Sequence, residues 1–75
     1  MKTHQLHALI EMVNQIASNI TSGVSQEQTA KEVASHLGRF WSRSMKSEII
    51  EYLNSDGSEL SETSKAAVAI LGQAA

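Results

Sequence analysis

Leu6, Leu9, Ile10, Val13, Ile16, Ala17 and Ile20 recur at helical spacing. At 3.6 residues per turn they fall in one stripe about 120° wide. A helix with such a stripe must lay it on other apolar surface, and the rest of the chain has to supply that surface. With 75 residues in all, this is one domain at most. A single core of this size contributes only ~3–5 kcal/mol. Small domains often add disulfides or a metal, but there is no Cys, which excludes disulfides and thiolate metal sites. The remaining supports are good helix packing, self-association or docking onto a larger protein.

The rest of the chain also reads as helix. Thr3 is placed to cap the first helix, and Thr21–Ser22–Gly23 to end it. Ser25 and Gln28 have capping-box spacing at the start of a second helix. Its apolar residues are Ala30, Val33, Ala34 and Leu37, with the two alanines small enough for a close neighbour, and Gly38 is the expected left-handed stop. Arg39–Ser42 then reads as a link. Ser42 or Ser44 caps a third helix with Met45, Ile49, Tyr52 and Leu53 inward and Ile50 beside them. Asn54–Ser55–Asp56–Gly57 is a stop and turn. Ser61 caps a fourth helix that directs Val68 and Leu71 to the core, leaves Ile70 for a neighbour or a partner and ends at Gly72. No strand alternation, internal repeat or linker is visible. The expectation is an all-α domain over residues 1–75, a compact bundle of about four short helices with an ordered core near 4–72.

Composition and motifs exclude most functions. The formal net charge is −2, against the basic excess of most nucleic-acid-binding domains. No stretch has the apolar length of a membrane span or a signal sequence, so a cytoplasmic protein is expected. His4 and His7 share a helix face, but no third ligand follows at the right spacing, and surface solvation is the simpler reading. His36 is placed to interact with the end of the second helix. The serines read as caps, the glycines are isolated, and no carboxylate pair or nucleophile arrangement forms. No catalytic residue, metal ligand or bound cofactor is expected in this chain.

One segment is unusual. The only Phe and the only Trp stand together as Phe40–Trp41 between Arg39 and Arg43, in a stretch from Val33 to Ser47 without an acidic residue. Adjacent side chains diverge by about 100° on a helix, so the two rings cannot share a direction. The expected division puts Phe40 in the core and Trp41 at a groove or interface. Trp and Arg are the types enriched at binding hot spots. The arginine forks suit carboxylates or phosphates; the bland alternative is that they bridge to Glu32 or Glu48 of this chain.

Met12–Ala17 (MVNQIA), His36–Met45 (HLGRFWSRSM), Glu48–Leu53 (EIIEYL) and Gly57–Ser61 (GSELS) occur in an order and spacing that resembles a known family. It is the delta subunit of cytoplasmic NAD-dependent, molybdenum-containing formate dehydrogenases. The resemblance runs from Leu6 to Leu71. Two sites depart from it: Arg43–Ser44 stand where the family commonly has Pro-Arg, and Glu62 follows Leu60–Ser61 where it commonly has Pro. Both are first-turn positions where Pro is favoured but replaceable.

The resemblance implies an accessory subunit of a complex that interconverts formate and carbon dioxide. A large subunit would hold molybdenum or tungsten in bis-pterin guanine dinucleotide together with iron–sulfur clusters, and other subunits would hold FMN and the NAD site. This chain would bind the large subunit and support assembly or cofactor insertion. The residues expected to make that contact are Asn14, Gln15, His36, Arg39, Trp41, Arg43 and Met45, centred on the Leu37–Met45 surface. Two readings from other classes stay open. One is a free-standing helical adaptor or assembly chaperone that homodimerises through Ala30/Ala34 or Ala66–Leu71. The other is a helix-turn-helix nucleic-acid binder, which the acidic residues from Glu48 onward oppose.

Overall fold

The computed structural model describes residues 4–20 and 25–74, for Ala74 the backbone alone. Four helices follow one another: α1 (His4–Asn19), α2 (Gln26–Phe40), α3 (Arg43–Ser55) and α4 (Glu62–Ala74). There is no strand among the described residues. The caps expected at Thr3 and at Thr21–Gly23 lie outside the described residues.

The helix starts follow serine chemistry. Ser25 Oγ accepts from the Gln28 amide at 3.2 Å, Ser42 Oγ from the Met45 amide at 3.2 Å, and Ser61 Oγ from the Ser64 amide at 3.2 Å. Each satisfies an amide that has no partner within its helix. Glu27 and Glu62 lie in the first turns of α2 and α4, where the helix dipole favours negative charge.

The helix ends differ from expectation at both glycines. Gly38 does not stop α2, which continues to Phe40 and is capped at Trp41, whose amide donates to the Leu37 carbonyl at 3.0 Å. The link to α3 is therefore only Trp41–Ser42. The Lys46 ammonium donates to the Gly38 carbonyl at 3.3 Å, a cation on the negative end of α2. Gly72 likewise lies inside α4. A Cβ there would stand 3.5 Å from Ile50 Cγ2, so this glycine sits where α3 crosses closely. Among the described residues the left-handed glycine is Gly57, with φ of +67°, in the turn after α3.

Packing contacts define the arrangement. Gln26 donates to Thr63 Oγ1 at 3.3 Å near the starts of α2 and α4, and a Cβ on Gly38 would meet Leu71 Cδ1 at 3.9 Å near their ends. The two helices thus run in the same direction, and they form the most extensive interface in the domain. Ala30 and Ala34 are buried, which allows a close neighbour as their size suggested. The core takes Leu9, Ile10, Val13 and Ala17 from α1, Val33 and Leu37 from α2, Ile49 and Tyr52 from α3, and Ala67, Val68 and Leu71 from α4. Leu60, in the α3–α4 loop, joins it. The Cα radius of gyration is 11.2 Å, about that of a close-packed chain of this length.

Candidate functional site

The aromatic pair at the α2–α3 corner divides opposite to the expected way. Trp41 is 8% exposed and belongs to the core, whereas Phe40 is 67% exposed. The reason lies in α2 running past Gly38. Continued at helical phase, the arc of Val33, Ala34 and Leu37 takes in Trp41 and leaves Phe40 just outside it. The large indole fills the corner where α2 ends, and the smaller ring remains in water.

Phe40 is held on the surface by its own helix. The His36 ring packs against it with centroids 4.8 Å apart and planes at 42°. The Arg39 guanidinium carbon lies 5.7 Å from the Phe40 centroid, within cation–π range. His36 was expected to serve the end of α2. It lies a turn earlier, half-buried, and its ring contact is with Phe40. The last carbonyls are served by Trp41 and Lys46 instead. Arg43 opens α3 two residues beyond Trp41 and is exposed, as is Arg39. Among the described residues neither arginine is in an ion pair with Glu32.

The other expected contact residues are placed elsewhere. Met45 is half-buried against the core edge. Asn14 is on α1 and faces the α3–α4 loop: its Nδ2 donates to the Glu59 carbonyl at 2.9 Å, and its Oδ1 accepts from the Ser61 amide at 3.0 Å. Both ends of that amide are thus bonded within the chain. Gln15 is exposed on α1. The structure therefore brings His36 and Arg39 together around Phe40, with Arg43 at the same helix corner, and separates Asn14 from them. Phe40 is the residue the sequence reading missed as a surface group.

The α3–α4 loop is internally bonded. Tyr52 is 5% exposed, and its hydroxyl accepts from the Glu59 amide at 3.0 Å. Ser58 donates to Asp56 at 2.9 Å, and Ser61 to Ser64 at 3.0 Å. These bonds account for the polar side chains buried there; among the described residues no buried side-chain N or O lacks a partner.

Among the described residues no three His, Cys, Asp or Glu side chains come together as a metal site. His7 instead stands 3.7 Å from Glu11 one turn on, both exposed. Among the described residues no helix is long and apolar enough to cross a membrane.

A family profile described as NADH-dependant formate dehydrogenase delta subunit FdsD matches residues 8–68. No curated protein and no solved structure shows a significant match to the chain.

Proposed function

The chain belongs to the delta-subunit family of NADH-dependent formate dehydrogenases, and on that footing we propose that it is a non-catalytic accessory subunit docking on the large metal–pterin subunit of a cytoplasmic complex. There it supports assembly or cofactor insertion. In this reading molybdenum or tungsten, the pterin, the iron–sulfur clusters, FMN and NAD all belong to the partner subunits, and this chain holds none of them.

The family match from residue 8 to residue 68 carries the proposal, since it spans parts of all four helices. Two ion pairs, Lys31–Glu27 and Lys65–Glu62, lie along single helix faces, which suits a surface that folds without a cluster of ionisable groups. A core of modest size also gains from a partner, because binding to the folded form stabilises it by mass action.

Co-expression with a tagged large subunit tests the docking step. The expected result is co-purification in a fixed ratio; its absence under both oxidising and reducing conditions contradicts the reading. The assembly role is tested by the metal and pterin content of the large subunit made with and without this chain. Lower content in its absence is expected, and equal content removes that role.

A further inference from the structure

We propose that Phe40 enters an apolar pocket on the large subunit whose rim carries carboxylates, with Arg39 and Arg43 pairing to that rim. This rests on the reading of the chain as a docking subunit and adds the chemistry of the contact.

Phe40 is the most exposed large apolar side chain among the described residues, at 67%; Met12 follows at 39%. A single exposed apolar residue is ordinary on a protein surface. This one is unusual in being held. His36 lies against one part of the ring and Arg39 over it, so the side chain is arranged before binding. Less conformational freedom is then lost when a partner covers it. Arg39 and Arg43 are exposed on the same corner, and Phe and Arg are among the residue types enriched at protein interfaces over the rest of the surface.

Charge identifies the partner's chemistry. The chain is net negative, yet no Asp or Glu occurs between Val33 and Ser47. A carboxylate rim meets two guanidinium forks that bind such groups bidentately, whereas a basic rim is repelled. A nucleic acid fits less well. Tracking a phosphate backbone takes a run of positive charge, and α3 turns acidic after Lys46, with Glu48 and Glu51.

The test measures binding of the full chain to the purified large subunit. Phe40→Ala is expected to bind about 30-fold more weakly or worse, with an unchanged melting temperature. Wild-type affinity is expected to fall as salt rises, and the Arg39→Glu/Arg43→Glu double variant to bind weakly at all salt concentrations. Wild-type binding with Phe40→Ala equally tight overturns the proposal and leaves the docking reading standing. No binding by the wild type overturns both. Two further outcomes also overturn it: Phe40-dependent dimerisation of the chain alone in sedimentation, and Phe40-dependent retention on single-stranded DNA.

Discussion

Asn14 accepts a hydrogen bond from the Ser61 amide at 3.0 Å, joining the middle of α1 to the cap of α4 across 47 residues of sequence. The same side chain donates to the Glu59 carbonyl at 2.9 Å. One side-chain amide thus holds the backbone on both sides of Leu60, in the bend that leads into α4. Asn14→Ala leaves a backbone amide and a carbonyl without these partners, at a cost of about 1–2 kcal/mol. For a domain of this size that lowers the melting temperature by roughly 4–8 °C per kcal/mol. Circular-dichroism melting checks it. An unchanged melting temperature together with weakened docking would return Asn14 to the partner-contact role.

Tyr52 works on the same loop from α3, its hydroxyl accepting from the Glu59 amide at 3.0 Å. Tyr52→Phe keeps the ring in the core and removes the acceptor. The expected loss is about 1 kcal/mol, read by urea denaturation with an unchanged slope. A neutral result would mean that water replaces the phenol there.

The adjacent aromatics are expected to respond in opposite ways. Trp41→Ala opens a cavity and costs about 3–5 kcal/mol, comparable to everything a core of this size contributes. The variant should therefore be largely unfolded at room temperature. Phe40→Ala removes an exposed ring and should stay within about 0.5 kcal/mol of wild type. Similar losses in both variants would contradict the division of the pair.

The glycines separate by backbone geometry. Gly57→Ala places a Cβ on a residue at φ +67°, 3.2 Å from the Leu53 carbonyl oxygen. That should cost about 1–2 kcal/mol. Gly38→Ala falls inside α2 with nothing nearer than Leu71 Cδ1 at 3.9 Å. It should stabilise the chain by about 0.5–1 kcal/mol through helix propensity. Destabilisation by Gly38→Ala would mean that α2 ends there in the left-handed form after all. Equilibrium denaturation of the two variants decides both points.

Local signals explain why most elements were legible. The roles of Ser25, Ser42 and Ser61 depend on a residue and an amide three positions on, which are visible in any short window. The apolar stripe of α1 and the turn at Asn54–Gly57 are equally local. What failed to show needed the assembled fold. Gly38 and Gly72 look like terminators in isolation, yet both are absorbed into helices where another helix passes, Leu71 beside one and Ile50 beside the other. That misplaced end of α2 then misdirected Phe40 and Trp41. Extending the helical phase of Val33, Ala34 and Leu37 beyond Gly38 assigns both rings correctly. The partners of Asn14 lie 45 and 47 residues away, so no short window around it could identify them.

Site-specific cross-linking tests the docking corner most directly. The photo-reactive analogue p-benzoylphenylalanine is placed at Phe40 in one chain and, as a control, at Ser18 on the exposed side of α1 in another. Each is co-expressed with the large subunit and irradiated. The account predicts a covalent adduct with the large subunit from position 40 and none from position 18. An adduct from position 18 with none from position 40 would contradict it.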